Sequence, residues 1–210
     1  MTSNKNKTIR VAAAVFLTGS LLFSVSCSKN QQAEDGYLLA DPDGSDYSYS
    51  YPEEWNVLRS DSMFAVESPD KKANISSSSY ELPLDKYDLS VYAESEDPYS
   101  DLLDDYINLE ETGYIAQLRA NFGDNIIFSE ENIVDISVDE GKRSGKKLIY
   151  HMKVGDDEFY FETALILLPV DRNSCYLYDL TYTALGEEAY EAHKAVFEKA
   201  VESFTFKELF

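Results

Sequence analysis

The chain has 210 residues, with 18 Lys and Arg against 39 Asp and Glu and a formal net charge of −21. That balance excludes a surface built to hold nucleic acid, whose phosphates it would repel, and excludes charge-driven adsorption to anionic lipid. It admits cationic partners or divalent ions, and with 44% hydrophobic residues a chain of this length can bury a core without disulfide or metal staples.

Residues 1–10 carry Lys5, Lys7 and Arg10 and no acid, and residues 11–25 are apolar except for Thr18, Gly19, Ser20 and Ser24. A short basic start followed by an apolar stretch of this length is a secretory signal. It ends in Ser26-Cys27, and a cysteine behind a small residue at that place resembles the lipobox of bacterial lipoproteins, although Ser24 stands where the lipobox favours leucine. The resemblance implies that residues 1–26 are removed and that Cys27 carries a diacylglycerol, whose two acyl chains suffice for stable anchoring. It places the protein in the cell envelope, tethered to a bacterial membrane and facing outside the cytoplasm. Residues 27–36 hold this cysteine and a polar stretch, SKNQQAED, that reads as a flexible tether with an r.m.s. span of roughly 15–18 Å. Residues 37–210 then form one domain. All 39 acids follow Cys27, and losing Lys5, Lys7 and Arg10 leaves 15 bases, so the processed chain stands at −24. Cys175 is left with no second cysteine to pair with, and at the start of a strand it reads as a small packed hydrophobe.

Along the domain, DPDGS at residues 41–45 is a turn. Extended by Asp46 it has the look of a calcium loop, but Gly44 falls at the fourth place and no Glu stands at the twelfth, so it is not an EF-hand. Tyr47, Tyr49 and Tyr51 alternate with Ser48 and Ser50, Pro52 ends the run and Trp55 opens a return strand, which predicts a hairpin. Residues 63–68 and 74–82 predict two more strands. The run Ser76, Ser77, Ser78, Ser79 lacks a Gly-x-Ser-x-Gly setting and reads as the solvent side of its strand. Ser100 is the expected N-cap of a helix whose first turn contains Asp101 and Asp104. Glu94, Glu96, Asp97 and Asp101 make a candidate cation site, with calcium a candidate ion, because hard ions take clustered carboxylates. Capping accounts for part of the same cluster. Leu103, Ile107, Tyr114, Leu118 and Phe122 align along one side, with a break expected at Gly113.

After residue 125 the pattern is mostly strand. Val134, Ile136 and Val138 alternate with Asp135, Ser137 and Asp139, and Leu148, Tyr150, Met152 and Val154 with Lys147, Ile149, His151 and Lys153. His151 thus falls on the lysine side, exposed. Residues 159–168 (FYFETALILL) are apolar on both faces toward their end, as a central covered strand would be. Next, Tyr176, Tyr178, Leu180, Tyr182 and Ala184 share one strand face, while Asp179, Thr181 and Thr183 form a row on the other, a candidate exposed row for an ion or a peptide. A helix follows with Tyr190, His193, Phe197, Val201 and Phe204 along its stripe, so the aromatic strand face and the aromatic helix stripe should seal each other. His193 reads as a core histidine. The two histidines have no H-x-x-x-H spacing and the processed chain has no CxxC, so zinc is not expected, and no cofactor is expected beyond the lipid on Cys27.

Strands, a broken helix, four more strands and a closing helix predict an α+β fold, a largely antiparallel sheet flanked by helices in an αβα sandwich. Residues 43–55 (DGSDYSYSYPEEW) resemble the opening of the PsbP-like family, which reads like Y-S-F-x-Y-P-x-x-W. The LTYTA strand at 180–184, Tyr190 and VESFTF at 201–206 resemble its close, so that the likeness covers residues 37–206. The family's namesake is an extrinsic photosystem II subunit that helps retain calcium and chloride; many bacterial relatives are membrane-tethered proteins of unknown role. The family has no agreed catalytic residues to carry over. A net charge of −24 and the lipobox-like leader argue against a photosystem role. The expectation is a membrane-tethered, non-enzymatic binding or scaffold domain for a protein partner or a cation. The alternative is an envelope hydrolase whose site, drawn from Asp179, Thr181, His151 and His193, is assembled only in the fold.

Overall fold

A computed structural model describes residues 32–34, 36–42, 45–60, 63–84, 89–92, 94–169 and 174–207. The leader and Cys27 lie outside the described residues. A seven-stranded sheet with the order β4-β5-β6-β10-β9-β8-β7 forms the middle layer. Its strands are β4 (Asn56–Ser60), β5 (Met63–Glu67), β6 (Ala73–Pro83), β7 (Ile126–Val138), β8 (Arg143–Val154), β9 (Asp157–Pro169) and β10 (Ser174–Leu185). Every pairing in it is antiparallel. A smaller sheet, β1 (Gln32–Glu34), β2 (Tyr37–Ala40), β3 (Tyr47–Pro52) and β11 (Thr205–Phe206), lies over one face. With α3 (Glu187–Glu202) it covers that face, while α1 (Pro98–Asn108) and α2 (Tyr114–Phe122) cover the other. The expected αβα sandwich is what the chain forms.

The face under α3 buries Tyr178, Leu180, Tyr182 and Ala184 of β10 with Tyr190, Phe197, Ala200 and Val201 of the helix. Tyr182 stacks on Phe197 with ring centroids 5.6 Å apart, and its hydroxyl donates to the Tyr190 carbonyl at 2.9 Å. The sharp exit from β10 into α3 passes through Gly186 at φ +80°, a left-handed conformation that glycine adopts without a Cβ penalty. Glu187 and Glu188 fill the first turn and Lys199 the last, matching the helix dipole at both ends. The opposite face buries Leu102, Leu103, Tyr106 and Ile107 of α1 and Tyr114 and Leu118 of α2 against β8, β9 and β10. The break between α1 and α2 falls at Gly113, as the spacing predicts. A Cβ there would lie 2.5 Å from the Leu109 carbonyl oxygen and 2.6 Å from that of Tyr106, so the elbow closes only around glycine.

Several expectations need correction. The run Tyr47 to Tyr51 does not pair with the segment after Trp55. β3 pairs with β2 and β11 in the small sheet, and β4 crosses to the edge of the large one and pairs with β5. A strand flanked by packed neighbours on both sides shows burial at every position, and β3 does; alternation of Tyr and Ser does not reveal which strand lies alongside. Ser76 and Ser77 are buried, not solvent-facing, because β6 is an inner strand. Ser77 Oγ accepts from the Tyr47 and Tyr49 hydroxyls at 2.9 and 3.4 Å. The N-cap of α1 is Asp97, whose Oδ1 accepts from the Ser100 amide at 3.1 Å, with Pro98 in the first turn. Proline is favoured there, which moves the helix start ahead of Ser100. Within the segment read as a tether, Gln32–Glu34 form a short strand that pairs with β2.

Candidate functional site

The row Asp179, Thr181 and Thr183 is not an open sheet face. These residues are 7%, 3% and 1% exposed, because β10 is the central strand and the helical layer lies over this side. Their polar groups are organised instead into a buried chain of hydroxyls. Tyr114, at the start of α2, donates to Asp179 Oδ2 at 2.6 Å, and Thr181 Oγ1 donates to Asp179 Oδ1 at 2.6 Å. Thr181 Oγ1 meets Thr163 Oγ1 of β9 at 2.9 Å, and Thr163 meets the Tyr150 hydroxyl of β8 at 3.2 Å. Beside it, Tyr80 and Tyr106 join hydroxyls at 3.3 Å, and Gln117 Nε2 donates to Tyr106 at 3.3 Å. Burial raises the Asp179 carboxyl above the usual carboxylate range, opposed by the bonds from Thr181 and Tyr114. Burial and the neighbouring Asp179 carboxylate hold the Tyr114 hydroxyl well above its ordinary pKa. The chain ties α2 to three strands, and every hydroxyl in it can both give and take a hydrogen bond.

The four residues proposed for a hydrolytic site do not meet. Asp179 and Thr181 lie under α1 and α2, whereas His151 pairs in register with Tyr160 on the α3 side of the sheet and His193 stands on α3 itself. The sheet stands between the two pairs. Each imidazole also has its own carboxylate: His151 Nε2 lies 3.6 Å from Glu158, and His193 Nε2 lies 3.7 Å from Asp70. His151 is half-buried and not fully exposed, tilted against Tyr160 with ring centroids 5.6 Å apart. His193, expected in the core, is half-buried at its rim and sets an edge against Trp55 at 5.5 Å.

The candidate cation site fares no better. Glu94, Glu96 and Asp101 are exposed and Asp97 is engaged in capping. Among the described residues no three or more His, Cys, Asp or Glu are grouped to hold a metal. Cys175 is buried and free, and burial pushes its thiol up to about 11, consistent with packing.

Sequence reasoning missed a charged cluster on the α3 side. Glu162 is fully buried; its Oε1 accepts from the Tyr190 hydroxyl and lies 3.6 Å from Lys194 Nζ. Lys147 Nζ lies 2.6 Å from Oε2, off the direction of a good hydrogen bond, so the contact is an ion pair. One carboxylate inside the apolar run 159–168 was the cue, since a buried acid needs a partner. On the helical side, Lys146 Nζ bridges Asp104 of α1 and Asp135 of β7 at 2.6 Å each. Burial alone would pull its pKa down, but bonds from both carboxylates raise it. At the α1–α2 elbow, a cleft of about 450 Å³ is lined by Leu109, Glu110, Glu111, Ile115 and Arg119 among others. Among the described residues no helix is long and apolar enough to cross a membrane.

Neither a family model nor a curated protein matches the sequence. Solved structures do. LpqN, involved in cell envelope biogenesis of Mycobacterium tuberculosis, superposes with a TM-score of 0.53 at 12% identity, covering 86% of this chain and 100% of its own. A structure from Bacteroides thetaiotaomicron VPI-5482 gives 0.44 at 11% identity, covering 78% of this chain, which spans only 46% of that one. The Pseudomonas aeruginosa protein of unknown function PA94 gives 0.41 at 12% identity, covering 80% of this chain and 94% of its own. The chain has a fold that resembles that of LpqN over that protein's whole length.

Proposed function

We propose that this chain is an envelope lipoprotein: an extracytoplasmic domain, held to a bacterial membrane through Cys27, that binds a protein partner or a cation and carries out no chemistry of its own. The observation that carries the reading is the likeness of the domain to LpqN, a protein of cell envelope biogenesis, across 86% of this chain. The leader supports it, with Lys5, Lys7 and Arg10 ahead of an apolar run ending at Ser26-Cys27. The resemblance of residues 37–206 to the PsbP-like family, many of whose bacterial members are membrane-tethered, points the same way. With the carboxylate and the imidazoles on opposite sides of a sheet, the residues proposed for hydrolysis lack the mutual reach that general base catalysis needs.

The test has two arms. Full-length chain expressed in a bacterium should take up labelled palmitate and fractionate with membranes, and Cys27→Ala should lose both properties. A wild-type chain that takes up no label and stays in the soluble fraction removes the tether. Crosslinking in intact envelopes should capture a partner, or calorimetry should register calcium. Silence in both removes the binding role.

A further inference from the structure

We infer that the helix-side floor of the large sheet, at Asn74 and Thr183, is a binding site for a small primary amine or ammonium group. The two residues stand directly opposite each other on β6 and β10, 5% and 1% exposed. Neither Asn74 Oδ1 nor Thr183 Oγ1 has a hydrogen-bond partner. An orphaned buried polar atom costs about 1–3 kcal/mol, and folded proteins almost always supply a partner for it. Here two such atoms are neighbours, which points to one shared guest.

The surrounding residues set the size and character of that guest. The next rung pairs Ser76 with Thr181, and Ala65 faces Ser76 from β5. These side chains are short, and Phe161, opposite Thr183 on β9, walls the row on its other side. The row offers acceptors more than donors. Asn74 Oδ1 can only accept, and the half-buried Glu67 faces Asn74 from β5. An ammonium group has three donors and no acceptor, and the strongly acidic protein favours a cation. Glu67 and Ser78 are half-buried, which places the approach on the β5 side.

The site rests on the binding reading above and names its ligand class. The experiment compares thermal unfolding of the full chain in methylammonium chloride with tetramethylammonium chloride and sodium chloride at equal ionic strength. Tetramethylammonium carries the same charge and no N–H donor. Methylammonium should raise the unfolding midpoint above both controls, and Thr183→Val and Asn74→Leu should each weaken the response about tenfold or more, the loss of a hydrogen bond to a charged group. Thr183→Ser keeps the hydroxyl and should keep the response, which separates binding from mere folding damage. Equal midpoints in all three salts, or an undiminished response in Thr183→Val, overturn the site. So does a crystal grown in methylammonium with only water between Asn74 and Thr183. Any of these outcomes leaves the tethered binding role standing if crosslinking captures a partner, so the two failures are distinguishable.

Discussion

Asp179 shows how one buried side chain can constrain a fold. Its carboxylate has a donor on each oxygen, from Thr181 and from Tyr114. Tyr114→Phe removes one of them and leaves a buried charge under-paired, so it should cost about 1–3 kcal/mol in denaturant unfolding. The pH dependence has a definite sign. Burial raises the folded pKa above its unfolded value near 3.9, so the folded state holds this proton more tightly. Stability from this group is therefore full below the unfolded pKa and is lost as pH rises toward the folded one. Asp179→Asn titrates nothing, and the flanking hydroxyls can turn to suit an amide. Its stability relative to wild type should increase with pH from about 4 upward until Asp179 is ionised in the folded state. A flat difference across that range would show that the carboxyl is not perturbed. The sequence placed Asp179 on the face opposite the tyrosines, which is correct. It could not say what lay over that face, because a polar row under a helix and one facing water have the same period.

At the level of elements, the close α1–α2 elbow depends on the missing side chain at Gly113. A methyl group there meets two backbone carbonyls at 2.5 and 2.6 Å, and backbone cannot swing aside. Gly113→Ala should therefore destabilise by about 1–3 kcal/mol, the range for overpacking, with a lowered denaturant midpoint. The seam between α3 and the sheet depends on a charged pair. Lys147→Met leaves the fully buried Glu162 with Tyr190 and the more distant Lys194. Breaking a buried pair from one side should cost about 3 kcal/mol, and adding Glu162→Gln should recover much of it. A double variant no more stable than Lys147→Met would show that Lys147 acts through packing of its stem. The helices and most strands were legible because their apolar periods are local. The Glu162 cluster was not, since Lys147, Glu162 and Tyr190 lie on three separate elements and share no spacing.

For the whole molecule, charge is the dominant long-range quantity. The chain carries a formal net charge of −21, and like charges on a compact body repel. Raising sodium chloride from about 0.01 to 0.2 M shortens the screening length from about 30 Å to under 10 Å, so the thermal midpoint should rise. A fall would mean that the ion pairs of Lys146 and Lys147 outweigh the repulsion. The layered architecture was within reach of sequence because order and burial pattern of the elements limit the packings available. Partner strands were not. The expected hairpin after Tyr47 became two strands in two different sheets, since backbone pairing is available to any strand and is awarded by packing elsewhere.

By itself the sequence determined the acidity, the class of fold and the closing β10–α3 unit, because each follows from composition or from a repeat within a dozen or so residues. Only the tertiary structure decided that the Asp179 row is roofed over, that the imidazoles lie across the sheet from it, and that Asn74 and Thr183 face each other without partners. Those facts depend on contacts between residues about a hundred positions apart, and such contacts are fixed by how whole layers pack, which no local period encodes.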